Sequence, residues 1–226
     1  ITPLKQYGNP KPRVFRLEND EALINRLGFN NDGSDIVEKR IKNNKKNGIL
    51  GINIGPNKET IKQIEDFITC FRKLSKLADY ITINISSPNT KNLRDFHDDQ
   101  NLISLLRLIN KEKKLLNLNI PIALKISPDI DESSIERISE IVISHSVEAL
   151  ILTNTSNLNR SNLYDLHKNE VGGLSGKPLE NISNNIISKF YKHLKKKVII
   201  IGVGGIDSGK SAYNKIISGA TLLQLY

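Results

Sequence analysis

Residues 80–90 read YITINISSPNT, a run that alternates in period two and then turns through Ser-Ser-Pro-Asn-Thr. Successive side chains of a strand point to opposite faces, so Ile81, Ile83 and Ile85 share one face and Thr82, Asn84 and Ser86 the other. The isoleucine face is suited to packing against helices. The opposite face puts an amide where hydrocarbon is the ordinary choice, and a buried polar group costs a few kcal/mol unless it is paired. One inward asparagine is compatible with a satisfied structural residue. The same split, however, recurs along the chain. In GILGINIG (48–55) Ile52 and Ile54 oppose Gly51 and Asn53, and in IALKIS (122–127) Ile122, Leu124 and Ile126 oppose Ala123 and Lys125. In ALILTN (149–154) Ile151 and Thr153 share a face, with Asn154 just beyond. Polar residues at the C-terminal ends of several strands, all facing away from the helices, call for a polar ligand.

These strands belong to a regular alternation. Strand candidates are 48–54, 80–86, 121–127, 148–154, 198–204 and 222–226; amphipathic stretches at 59–78, 99–117, 131–145, 181–195 and 208–218 predict helices, with Asp131 and Ser208 as caps. Such alternation implies parallel βαβ units. A chain of 226 residues suits one α/β domain over 1–226, a (β/α)8 TIM barrel whose ligand sits at the C-terminal strand ends. Six strands are visible where a closed barrel needs eight, so the barrel is expected to be incomplete. The opening TPLKQYGNPKPRVFRL (2–17) reads as irregular.

Two glycine clusters stand out. In VIIIGVGGIDSGKSA (198–212) a buried strand runs into Gly204 and Gly205 and a helix start at Ser208, which reads as a phosphate cradle. GGLSGKPL (172–179) reads as either a plain flexible loop or part of the site.

Composition narrows the function classes. Lys and Arg outnumber Asp and Glu by 33 to 24, giving +9, but the charge is spread. The dense runs Lys42–Lys46 and Lys192–Lys197 read as solvated helix ends. Aromatics are 5% and do not interleave with basic residues, so a nucleic-acid groove is not supported. The single cysteine, Cys70, lies in an amphipathic run and reads as core. His97, His145, His167 and His193 lack ligand spacing, so no metal is expected. No apolar run reaches the length of a membrane span.

The motifs NPKPRVFRL, LINRLGFNN, GINIGPN, INISSPNT, LKISPD, LTNTS, GGLSGKPL, IIGVGGIDSG and LLQLY together resemble the class 2, quinone-linked dihydroorotate dehydrogenases over nearly the whole chain. The resemblance implies a flavin-dependent barrel that oxidises dihydroorotate to orotate in pyrimidine biosynthesis and passes electrons to a membrane quinone. It implies FMN as cofactor, Ser87 as catalytic base, and Ser86 as a structural strand-end residue. Thr90 and Phe29 match positions along the proton route from Ser87. Asn84, Asn89, Asn154 and Thr155 match groups that hold the orotate ring and carboxylate, and Asn25, Arg26, Leu27, Gly28 and Phe29 match the substrate loop. Lys125 matches a lysine beside the flavin; Asn53, Asn84 and Thr153 match groups that bond its ring; Gly176, Gly205 and Tyr226 match FMN contacts.

By the same resemblance, two barrel strands and a membrane-docking segment are expected before Ile1, with more chain after Tyr226. The 226 residues alone are expected to leave strand edges open and to hold FMN poorly. Lys91-Asn92 stands where the family usually has Pro-Gly, so the loop over the substrate is expected to bend differently. The implied location is peripheral, on the cytoplasmic side of a bacterial inner membrane. Three other readings stay open: a class 1 enzyme and a tRNA dihydrouridine synthase, both of which use a cysteine and find none in SSPNT, and a non-catalytic truncated remnant.

Overall fold

The computed structural model describes residues 1–44, 47–87, 93–158 and 160–226, the side chain of Asp95 excepted. In chain order its strands and helices begin with β1 (Val14–Leu17), β2 (Ala22–Asn25), α1 (Ser34–Asn43), β3 (Gly51–Ile54), α2 (Gln63–Leu74), β4 (Tyr80–Asn84) and α3 (Asp99–Leu115). They continue with β5 (Ile122–Ile126), α4 (Glu132–Ser144), β6 (Ala149–Leu152), β7 (Gly173–Gly176), α5 (Leu179–Leu194), β8 (Ile199–Val203), α6 (Gly209–Ile217) and β9 (Leu222–Gln224).

Six strands form one parallel sheet in the order β3-β4-β5-β6-β8-β9, curled as part of a barrel wall with β3 and β9 at its edges. The expected incomplete α/β barrel is what the chain builds. Ile52, Ile54, Ile81, Ile83, Ile85, Leu124 and Ile126 join Phe67, Phe71, Leu105, Ile138, Ile187 and Phe190 in one continuous core between sheet and helices. The opposite, inner face is thinner: Ala123, Ala149, Ile151 and Val203 make a small apolar floor. Because every strand of this sheet runs the same way, Ile54, Asn84, Ile126, Leu152 and Val203 end on a common rim.

The predicted caps are present. Asp131 accepts a hydrogen bond from Ser134 N, and Ser208 forms a capping box with Ser211. Strand ends fall up to three residues inside the expected ranges. α2 begins at Gln63, later than the expected 59, whereas α5 begins at Leu179, behind Pro178, whose φ of −59° already suits a helix start. The run Lys42–Lys46 lies partly outside the described residues.

Three expectations are corrected. The opening is not irregular throughout: β1 and β2 pair antiparallel around a Glu18–Asp20 3-10 turn, with Glu21 left-handed at φ 47°. GGLSGKPL is not a plain loop, because its GLSG stretch is β7, paired antiparallel with β2. This second sheet has its own small core of Phe15, Leu17, Ile24, Leu163 and Leu174. Helix α1 is an element that periodicity missed; its sequence SDIVEKRIKN is polar, and Ser34 is its one fully buried residue.

Ile83 is fully buried at the centre of β4, whereas Ile61 is 97% exposed. Ile83→Ala is therefore expected to lower the unfolding free energy by about 2–5 kcal/mol. Ile61→Ala should change it by less than about 0.5 kcal/mol. Urea titration of the two variants beside the parent measures both.

Candidate active site

Strand β4 leads into the rim through a knot of three polar side chains. Asn84 Oδ1 accepts from Ser86 N at 3.2 Å and from Ser86 Oγ at 2.9 Å. Asn154 Nδ2 donates to Ser86 Oγ at 2.9 Å and reaches Asn84 Oδ1 at 3.5 Å, joining the exits of β4 and β6. Asn154 Oδ1 in turn accepts from Thr155 N at 2.8 Å. Asn154 is thus held at both ends of its amide and Asn84 by its carbonyl, while Asn84 Nδ2 has no acceptor among the described residues. Ser86 is fully buried and its hydroxyl is taken by the two amides; Ser87, the next residue, is 6% exposed.

Beside Asn84 lies Lys125, its register partner on β5. Lys125 is mostly buried, and among the described residues its ammonium has neither a hydrogen bond nor an ion pair. Burial accordingly holds its pKa below the usual lysine value. On β3, Asn53 pairs in register with Thr82 and keeps its side chain exposed; its carbonyl accepts from the Ile1 ammonium at 2.6 Å. Thr153 is buried, donating from Oγ1 to Asn154 O at 3.1 Å. An apolar floor, outward-facing amides and one unpartnered cation fit a flat heteroaromatic group that carries carbonyls and can take negative charge.

The glycine turns are built for close approach. Gly205 has φ +69°, and a side chain there would come within 2.6 Å of Glu180 N, in the first turn of α5. At the start of α6, Ser208 N and Ser211 N are held by each other's hydroxyls, and Asp207 accepts from Ser211 Oγ. The hydroxyl contacts keep the Asp207 carboxyl below its usual range. Gly176 has φ +100°, and a side chain there would strike Glu21 O and Ala22 Cα across the β2–β7 pairing. Tyr226 is fully exposed beyond β9.

The expected substrate loop follows β2. Asn25 accepts from Leu27 N, and Gly28, at φ +72°, accepts on its carbonyl from Gln6 Nε2 at 2.9 Å. Phe29, left-handed at φ 53°, lies against Gly55 just past β3, where a side-chain carbon would come within 3.0 Å of its ring. The Arg26 side chain pairs with Glu170 at 2.8 Å, donates to Val171 O and stacks on Phe15 at 4.5 Å. Asn89, Thr90 and Lys91-Asn92 lie outside the described residues.

Sequence reasoning gave no role to Asp129, Arg94 or Ser156, which meet just beyond β5 and β6. The aspartate at the end of LKISPD, next to a strand terminus on the same rim, was the available signal. Cys70 is a core residue whose thiol burial pushes up to about 12. Among the described residues no group of His, Cys, Asp and Glu could hold a metal ion, and no helix is long and apolar enough to cross a membrane. Two surface grooves, of about 510 Å³ beside Arg72 and Lys73 and about 700 Å³ beside Ile61 and Phe96, are lined by none of the rim residues.

Lys125 supplies a pH test of this arrangement. Between its lowered folded value and the ordinary 10.5, the unfolded chain binds a proton that the folded chain does not, so stability rises with pH across that window. Lys125→Met keeps the stem and removes the charge. It is expected to raise the thermal midpoint of the ligand-free protein at pH 7, and to reduce the gain in stability on going to pH 10. Thermal melts of parent and variant at both pH values read the difference.

The family model described as dihydroorotate dehydrogenase matches residues 1–226. Relatives named dihydroorotate dehydrogenase (quinone) from Bartonella henselae and from Buchnera aphidicola are each 47% identical over the whole chain, which covers 64% and 69% of their own lengths. DHODH from Eimeria tenella in complex with ferulenol superposes with a TM-score of 0.95 at 35% identity, over 100% of this chain and 67% of that one. The chain therefore spans about two thirds of the proteins it matches, at sequence and structural level alike. It belongs to the dihydroorotate dehydrogenase family.

Proposed function

We propose that the intact protein oxidises dihydroorotate to orotate in de novo pyrimidine biosynthesis, with FMN as its flavin and a membrane quinone as electron acceptor. The observation that carries this reading is the pairing of Asn84 with Lys125 in register at the rim, with Ser87 next in line beyond β4. The relatives' shared name supports the reaction and the acceptor. The family is flavin-dependent in general.

The reaction removes a proton from C5 and a hydride from C6 of the substrate and leaves a C5=C6 double bond. When bound, FMN supplies the hydride acceptor. Ser87 Oγ takes the C5 proton. A serine hydroxyl is a weak base, so the proton must leave along a hydrogen-bonded path, which Thr90 and the apolar ring of Phe29 are assigned to surround. Asn84 offers its Nδ2 donor to the imide edge of the substrate ring, and Asn89 and Asn154 are assigned to the same ring, with Thr155 and residues 25–29 completing the pocket. Lys125 provides a fixed cation where negative charge develops. Asn53, Thr153, Gly176, Gly205 and Tyr226 are assigned to the flavin.

Cysteine-based alternatives find no base here, because Cys70 is held in the core with its thiol at about 12. We assign peripheral attachment to the cytoplasmic face of a bacterial inner membrane, through a segment outside residues 1–226. The net charge of +9 favours an anionic lipid surface.

Ser87→Ala in the full-length protein is expected to slow flavin reduction by dihydroorotate about 10²- to 10⁴-fold, with the flavin spectrum unchanged. Stopped-flow absorbance measures the rate. A rate within about threefold of the parent removes Ser87 as the base.

A further inference from the structure

Asp129 stands just past β5, its side chain 6% exposed. Its backbone N–H donates to the fully buried Ser127 at 3.2 Å, which fixes the turn. Both carboxylate oxygens are occupied. Oδ1 accepts from Ser156 Oγ at 2.5 Å; Oδ2 accepts from Asn157 N at 2.8 Å and lies 3.1 Å from Arg94 Nη2. Ser156 also exchanges two backbone hydrogen bonds with Leu174 on β7. One carboxylate therefore joins the 3-10 turn Leu93–His97, the exit of β5 and the exit of β6, with β7 attached through Ser156.

The position of this hub in sequence gives it a role beyond holding loops together. Ser87 and Arg94 lie on the segment that leaves β4, and Asn154 and Ser156 on the segment that leaves β6. These two segments are tied twice. The near tie is the Asn84–Ser86–Asn154 knot, and the far tie is Arg94–Asp129–Ser156. Ser87 lies between the ties on its segment, and Thr155 on the other. A base and the amides that hold its substrate must be mutually placed to a fraction of an ångström, and a buried carboxylate held by hydrogen bonds from Ser156 and Asn157 and by the Arg94 ion pair does this where an apolar contact of equal size would not.

We propose that Asp129 is a positioning residue for the reaction: through Arg94 and Ser156 it sets the place of Ser87 relative to the amide of Asn154. The proposal rests on the reading of Ser87 as the base.

The test uses the full-length, flavin-loaded protein. In Asp129→Asn, flavin reduction at saturating dihydroorotate is expected to fall about 10- to 100-fold. The dissociation constant for orotate should change by less than about threefold, which separates placement of the base from substrate binding. The deuterium isotope effect from C5-labelled dihydroorotate should rise, because proton removal becomes the slower of the two bond cleavages. Arg94→Gln should act in the same direction, and the double variant should be no worse than the poorer single one. Reduction within about twofold of the parent overturns the proposal, as does an unchanged isotope effect with orotate affinity and flavin content falling in step with the rate. If Asp129→Asn does not fold, Arg94→Gln, which removes the ion pair, is read by the same isotope effect, and no rise overturns the proposal. Ser87→Ala separates the two failures. Normal reduction in that variant removes the base reading, whereas its loss together with parental behaviour of Asp129→Asn removes only the role of Asp129.

Discussion

The parallel register of β3 to β6 is the constraint on which the site depends. It sets Asn84 opposite Lys125 and Asn53 opposite Thr82, and it brings the strand exits to one rim. A slip of one residue in β4 would turn Asn84 into the helix-packed core and Ile83 toward the inner face. The isoleucines guard against this. Ile81, Ile83 and Ile85 are all fully buried against α2 and α3 residues, so the hydrophobic side of each strand fixes where its polar side must point. The core thus specifies by exclusion which face carries the site, and the hydrogen bonds among Asn84, Ser86 and Asn154 then fix those side chains.

The site itself works against stability. Lys125 is held among small apolar side chains with its ammonium unpartnered among the described residues, and burial depresses its pKa for that reason. A second buried lysine shows the contrast. Lys215 on α6 is fully enclosed but donates to Asn184 Oδ1 at 3.0 Å, and its neighbours include the carboxylate of Glu180, so it has a partner where Lys125 has none among the described residues. A cation left without a partner on the inner face of a sheet is what a ligand that accumulates negative charge would satisfy.

Much of this was legible in the chain, for a physical reason. Long apolar runs at period two mark β4, β5 and β8, and splitting them by face isolates Asn84 and Lys125 without any knowledge of the fold. The second sheet was not legible. Its strands are four residues each, one of them is Gly-Leu-Ser-Gly, and β7 pairs with β2 across about 150 positions of sequence, a contact that leaves no local period. The ion pair of Arg26 was not legible for a related reason: its partner, Glu170, lies 144 residues away. Asp129 was quoted within a motif, yet its bonds to Arg94 and Ser156 are set only once three strand exits have come together.

The two serines after β4 show how far local chemistry can be carried. Their residue types are the same and their burial nearly so, so neither composition nor exposure separates them. The hydrogen bonds do. Ser86 Oγ donates to Asn84 and accepts from Asn154, which leaves it no free donor for a substrate proton relay and fixes its rotamer from both sides. Such a hydroxyl can order its neighbours but cannot leave that task without releasing both amides. Ser86 is therefore the structural member of the pair, and the proposal of Ser87 as the base rests on the family resemblance and not on these contacts.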